Sequence, residues 1–584
     1  MTRSFSGNPA WLILTVLGIS CACASAAAVQ LSIAPTWESQ PLLLDSLRYQ
    51  NAADETLSVT RLSYLLSGFA LERTDGSWVQ LPDQYAWLDA SGHRNGFTLE
   101  GVAKGTYKTL RFFVGPDPAA NGSDPAKRPA DHPLNANLNG LHWDWRSGYI
   151  FLAAEGHYRT GNGEIKGWSY HFARDPNRTA VSLPLPEGCT DDAALAIQLD
   201  VKMILAGLRS LSFTKDGATT HSSDGDAVAS ALAANLSGAF QVVQLLSTKP
   251  AISRPPPVQP LYLPEKYTPC RFTMSSTFPI PALPRDNPLI EERIALGKAL
   301  FNDSVLSVDH TIACGSCHQE ATAFADPKPF SQGVRRQTGT RHSMPLFNLA
   351  WKSSFFWDGR AGTLREQALM PIQDHTEMDH NLPDLVAGLA SNSAYPPLFE
   401  KAFGSPEITP EKLGLALEQY LLTLTSYDSK FDRAMKGRAT LTQEEQRGFE
   451  LFSTEYEPRT GRLGADCFHC HGGALFTDHQ FHNNGLEPLS RDQGRFTVTG
   501  QEADLNKFST PSLRNVGTTG PYMHDGRFGT LEEVIAHYSG GIHRSPTLDP
   551  NLAKHPAGGL PLDAASQQAL VAFLKTLTSE IHQP

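Results

Sequence analysis

Along residues 27–247, apolar and polar positions alternate in short runs. In 107–115 (YKTLRFFVG), Leu110, Phe112 and Val114 alternate with Thr109 and Arg111, the period of a strand with one buried face. Residues 148–158 (GYIFLAAEGHY) form a nearly continuous aromatic and aliphatic run. Gly, Asn, Asp and Pro clusters separate such runs, and this spacing predicts an antiparallel β-sandwich. From 287 onward the period becomes helical, in 287–301 (NPLIEERIALGKALF), 411–424, 441–452 and 565–577. Pro288 with Glu291 and Glu292 suits a helix start. Between the two regimes, Lys249 to Pro288 contains eleven prolines. Proline fixes φ and donates no amide, so this stretch predicts an extended linker. The expected architecture is multidomain: an all-β sandwich over 27–247, a Pro-rich linker over 248–286, and a mainly α region from 287 to 584.

Length agrees with several domains, since 584 residues exceed one ordinary core. Forty per cent hydrophobic and 19% charged residues are ordinary for a soluble chain. A net charge of −11 with no basic run argues against nucleic acid as a partner. Residues 1–26 have the form of an export signal: Arg3, the apolar WLILTVLGIS, and a small-residue ASA at 24–26. That apolar run is too short to span a bilayer and no later segment is long enough, so the mature chain is expected to be periplasmic or secreted, with no membrane span. Cys21 and Cys23 fall within the signal. Cys189 and Cys270 could pair in an oxidising compartment, and the sequence leaves that pairing open.

The other four cysteines carry chemistry. ACGSCHQE contains Cys314, Cys317 and His318; DCFHCHGG contains Cys467, Cys470 and His471. Each C-x-x-C-H places two thiols where they can add across haem vinyl groups, with a His beside them to reach the iron. Zinc would need a further ligand pair at metal spacing, and no other C-x-x-C exists. Two covalent c-type haems are therefore expected, one in each helical half: 287–437 and 438–584.

The C-terminal region resembles the bacterial dihaem cytochrome c peroxidases and, within them, the MauG-like branch. The resemblance rests on LGKALFNDSVLS before the first haem motif, on FFWDGRAGTLREQALMPIQDHTEM at 355–378, and on TPSLRNVGTTGPYMHDGRFGTLEEVIAHYSGG at 510–541, in the family's order. It implies that Trp357 lies between the haems and relays electrons. It also implies that Gln367, Pro371 and Glu377, ten, fourteen and twenty residues further on, line the peroxide pocket, with Glu377 moving the proton needed to split the O–O bond. The second haem's other ligand falls fourteen residues after His524, where the usual Met is replaced by Tyr538. A phenolate is a hard anionic ligand and would favour higher oxidation states of iron. Met523 and His537 compete for that place. No His occurs between Gln319 and Arg341, so the usual blocking ligand of the first haem is missing. His342 stands where the family has an Asn near an interhaem calcium, whose other ligands would be the carbonyls of Thr519 and Pro521. Imidazole suits calcium poorly, which leaves calcium in doubt.

Residues 131–158 (DHPLNANLNGLHWDWRSGYIFLAAEGHY) and 167–175 (GWSYHFARD) resemble the MbnP-like copper-binding proteins. That resemblance implies copper held by imidazole and a tryptophan oxidised to kynurenine by a MauG-like partner. His132 and His171 are the leading candidate copper ligands, with His142 and His157 behind them. Trp143 and Trp145 are the candidate oxidised residues, expected to alternate along a strand. The combined expectation is an exported peroxidase that uses hydrogen peroxide to bring its haems to high valence and oxidise a tryptophan in its own fused copper-binding domain. One rival is a cytochrome c peroxidase drawing electrons from a small donor protein. Another is a copper-binding protein whose haems only transfer electrons, against which the complete Glu377 pocket counts.

Overall fold

The computed structural model describes residues 27–143, 148–246, 262–488 and 490–583. The export signal, Trp145 and the RPPPVQP stretch lie outside the described residues.

The β region is a two-sheet sandwich. The larger, nine-stranded sheet runs Thr179–Pro184, Tyr107–Val114, Arg61–Arg73, Ile150–Arg159, Ile165–Ala173, Thr219–Thr220 across its face, with Trp78–Asp89 hydrogen-bonded to Arg61–Arg73. The second sheet is built on Val29–Trp37. Phe112 meets Phe240 across the sheets with ring centroids 5.2 Å apart, and Phe69 meets Phe97 at 5.3 Å. The expected antiparallel order fails in two places, one of them the short parallel pairing of Ile165–Ala173 with Thr219–Thr220. Val29–Trp37 pairs in parallel with Ala194–Asp200, from Gln30↔Ala194 to Thr36↔Asp200. These strands are far apart in sequence, so no turn constrains their direction.

The helical region has two cores. The expected helices appear as Glu291–Phe301, Pro410–Thr423, Gln443–Phe452 and Ala564–Lys575. In each half the first helix crosses a later one closely at a glycine. A Cβ on Gly297 would stand 2.0 Å from the Ala416 carbonyl, and one on Gly448 would stand 1.9 Å from that of Ala569. The two halves thus repeat one packing device. Residues 262–286 do not behave as a free spacer: Phe278 is fully buried in the first helical core, and the Trp351 indole donates to the Pro279 carbonyl at 2.7 Å. Cys189 and Cys270 are both free thiols. Among the described residues, no helix is long and apolar enough to cross a membrane.

The β-sandwich rests on the second helical half. A Cβ on Gly167 would lie 1.8 Å from the Pro550 carbonyl, so strand and helix Pro550–Ala553 meet backbone to backbone. The Asn551 amide donates to Glu155 at 3.0 Å, and His157 Nε2 lies 2.8 Å from the Leu548 carbonyl.

Candidate functional site

The first haem motif forms the short helix Cys314–Cys317. His318 follows it, and its Nδ1 donates to the Phe324 carbonyl at 2.9 Å. That hydrogen bond fixes the ring through Nδ1, so Nε2 is the nitrogen that would meet a metal. Burial lowers the His318 pKa, keeping the ring neutral as an iron ligand must be. A cavity beside the two cysteines and His318 is lined by Leu346, Gln367, Pro371, Glu377 and Leu417. The thiols, the oriented imidazole and the largely apolar walls fit a covalent haem. Gln367 and Pro371 stand on helix Leu364–Gln373, whose start is fixed by a reciprocal Thr363–Glu366 capping box. Glu377 follows in a turn. Burial pushes its carboxyl up to about 7, with Asp374 adding to the effect and Arg360 opposing it.

Trp357 is buried. Its indole donates to the His342 carbonyl at 2.8 Å, and its own carbonyl accepts from Ser509 at 2.7 Å. It lines a second cavity that includes His318 on one side and Leu475, Thr477 and His479 of the second half on the other. The His342 ring is turned elsewhere, with Nδ1 near the carbonyls of Lys328 (3.1 Å) and Pro329 (3.3 Å). Its Nε2 is buried and has no hydrogen-bond partner, so no hydrogen bond ties the imidazole to the Thr519 carbonyl expected for calcium. Pro521 follows a cis peptide bond.

In the second motif, His471 Nδ1 donates to the Phe476 carbonyl at 3.2 Å, repeating the orientation device of His318. Tyr538 is half-buried; burial of its phenol raises its pKa, Asn484 opposes that by a hydrogen bond, and Cys470 and Cys467 raise it further. Its rivals are engaged: Met523 Sδ accepts from the Asn484 amide at 3.4 Å, and His537 Nε2 lies 3.0 Å from the Asn484 carbonyl. A phenol held this far up ionises only against a cation, and a bound metal ion supplies one.

A third cluster lies at the seam with the sandwich. The Trp143 ring is 5.6 Å from His221 and 6.4 Å from His171. His221 is 5.1 Å from His469 and 5.7 Å from Phe468, the two residues between the cysteines of the second motif.

Comparison with known proteins agrees with both resemblances. Residues 291–440 match the profile of the family described as di-haem cytochrome c peroxidase, and residues 26–222 match MbnP. The methylamine utilization protein MauG of Methylorubrum extorquens is 37% identical over 300 residues, covering 51% of this chain and 81% of that protein. The cytochrome c551 peroxidase of Nitrosomonas europaea is 34% identical, covering 53% and 86%. A solved MauG-like protein associated with microbial copper homeostasis is 33% identical with a TM-score of 0.48, covering 53% of this chain and 96% of its own. The chain belongs to the di-haem cytochrome c peroxidase family. It is a dihaem peroxidase-type oxidoreductase, and the family implies two haems.

This family member departs from the sequence expectation in its sandwich. Trp143 lies outside the named strands, one residue after the isolated antiparallel bridge His142↔Tyr149, and its amide donates to the Gly148 carbonyl at 3.0 Å. His132 does not join His171. Its Nδ1 accepts the Leu134 amide at 3.0 Å and its ring lies against Tyr85, so DHPLN closes a turn. His142 packs edge-on against Tyr149, and His157 is held by Leu548. Of these four only His171 enters the cluster. His221 and His469 were missed. The one signal for His469 was a surplus imidazole inside C-x-x-C-H; His221 gave none.

Proposed function

We propose that this peroxidase oxidises Trp143 of its own β-sandwich with hydrogen peroxide. The observation that carries the reading is the short ring-to-ring path from Trp143 through His221 to Phe468 and His469 within the second haem motif. When bound, the two haems supply iron that takes up the oxidising equivalents of peroxide. Glu377, poised near neutrality, accepts the proton of the bound peroxide oxygen and returns it to the departing one. Gln367 and Pro371 shape that pocket. His318 and His471 are held in orientation by the carbonyls of Phe324 and Phe476. Trp357 would relay electrons between the halves, and Tyr538 would hold the second haem's iron. Each peroxide takes two electrons and two protons to become two waters. Trp143, with one water, gives up two electrons and two protons and gains one oxygen. A second peroxide adds the second oxygen and opens the ring, and hydrolytic loss of formate leaves kynurenine.

The N-terminal match to MbnP supports copper as the metal of the sandwich, at imidazoles that include His171. Residues 1–26 support export. The imidazole of His342, where an amide oxygen would serve calcium, weighs against that ion. The rival reading, an external electron donor, is favoured by likeness to cytochrome c551 peroxidases.

The test follows the peroxide-induced change in haem absorption with no donor present. In wild type it should decay at least tenfold faster than in Trp143→Phe. Equal decay in the two, accelerated only by a reduced cytochrome, would establish the external-donor peroxidase instead.

A further inference from the structure

Three imidazoles converge at the seam between the two halves of the chain. His171 comes from strand Ile165–Ala173, His221 follows Thr219–Thr220, and His469 lies between the cysteines of the second haem motif. One ring nitrogen from each lies within 4.8 Å of the others. His171 Nδ1 and His221 Nε2 are 3.2 Å apart. A metal with M–N bonds of about 2.0–2.1 Å spaces its nitrogens by about 3.3–3.5 Å, so a small inward shift closes this set. The ring planes of His171 and His221 are at 88°, and each is near 50° to His469, so the rings fan about a common point and do not stack.

The surroundings suit a cation. The three side chains are 4%, 3% and 2% exposed. Glu155 stands 2.9 Å from His171, and Glu455 stands 3.2 Å from His221 and 2.9 Å from His469. Glu155 takes the Nε2 of His171, away from its Nδ1, and so orients and polarises that ring, whereas Glu455 takes the Nε2 of both His221 and His469, with Lys554 Nζ 3.2 Å from His469 Nε2. Asp466 is a third acid, 3.9 Å from His469. Against these three carboxylates stand two fixed cations: Arg61 on Glu155 at 3.0 Å, and Lys554 on Glu455 and Asp466 at 2.5 and 3.1 Å. One buried negative charge is left without a permanent partner. His469 Nδ1 is buried and has no hydrogen-bond partner.

We propose that His171, His221 and His469 form one metal centre shared by the sandwich and the second haem region, and that it takes a copper ion. Imidazole donors with no thiolate suit copper, and at a given nitrogen site Cu²⁺ binds more tightly than the other first-row divalent ions. The centre is incomplete without docking, because one ligand belongs to the haem-attachment loop. It places the metal beside Trp143. It rests on the copper reading of the sandwich and is independent of whether Trp143 is oxidised.

The test uses full-length holo-protein stripped of loosely held metal and titrated with Cu(II). Expected are one copper per chain beyond the haem iron and three imidazole nitrogens counted by pulsed EPR. His221→Ala and His469→Ala should each weaken binding about 100-fold or more. His375→Ala, whose side chain is 83% exposed, should change nothing. Copper bound equally tightly by His469→Ala, only two nitrogens in wild type, or no tight copper at all would overturn the shared centre. Haem content checks that the variants fold, and the nitrogen count needs no variant. Tryptophan oxidation measured on copper-free protein tests the other reading separately.

Discussion

In the proposed mechanism one residue, Glu377, sets the pH range of the chemistry. Its carboxyl is raised from 4.5 to about 7, chiefly by burial. Peroxide cleavage needs the carboxylate as base, so turnover should rise with pH through about 7. Glu377→Gln should lower turnover by about 10²–10⁴-fold and flatten that profile. Stability carries the opposite sign. A carboxyl raised on folding binds its proton more tightly in the native state, so stability falls as pH rises between 4.5 and about 7. Thermal melts of Glu377→Gln should lose that slope. With Tyr538 as the proposed ligand of the second haem, Tyr538→Met would replace a hard anion by a thioether, which should raise the iron's reduction potential and slow Trp143 oxidation at least tenfold. An unchanged redox titration would remove Tyr538 from the coordination sphere. Residues were legible where chemistry runs along the chain. Cys314, Cys317 and His318 are contiguous in space because they share one turn. His171, His221 and His469 come from three distant segments, and no periodicity links them.

Helices and strands were legible where one face is buried. The apolar spacing of 287–301 and 565–577 located helices Glu291–Phe301 and Ala564–Lys575. Strand direction was not legible, because alternation says which face is inside and nothing about the neighbour's polarity. The paired crossings at Gly297 and Gly448 give a prediction about elements. Alanine improves intrinsic helix stability over glycine by about 1 kcal/mol. Here its Cβ would sit 2.0 or 1.9 Å from a backbone carbonyl on the partner helix, which cannot swing aside as a side chain could. Overpacking should win, and Gly448→Ala should destabilise the second half by about 1–3 kcal/mol in denaturant melts. Gly333 ties the loop after the first haem motif to the turn bearing Glu377: Val334 donates to the Glu377 carbonyl at 2.8 Å, and a Cβ on Gly333 would stand 2.1 Å from the Thr376 carbonyl. Gly333→Ala should shift the pH profile of turnover while leaving haem content intact.

Over the whole molecule, the decisive feature is that the sandwich sits on the second haem half and not at the end of a free tether. Composition alone read residues 248–286 as a spacer, because proline content reports backbone stiffness and not docking. Phe278 and the Gly167–Pro550 contact show what that reading missed. Gly167→Val should pry the halves apart, expanding the chain in small-angle scattering and abolishing Trp143 oxidation while peroxide turnover with an added donor persists. The central claim is that oxidising equivalents made at the first haem pocket reach Trp143 through Trp357. Peptide mass spectrometry of the holo-protein after peroxide treatment, with Trp357→Phe alongside, tests it most directly. The account predicts one or two added oxygens, or kynurenine, at Trp143 in wild type and unmodified Trp143 in the variant. Unmodified Trp143 in wild type during rapid peroxide turnover would contradict it.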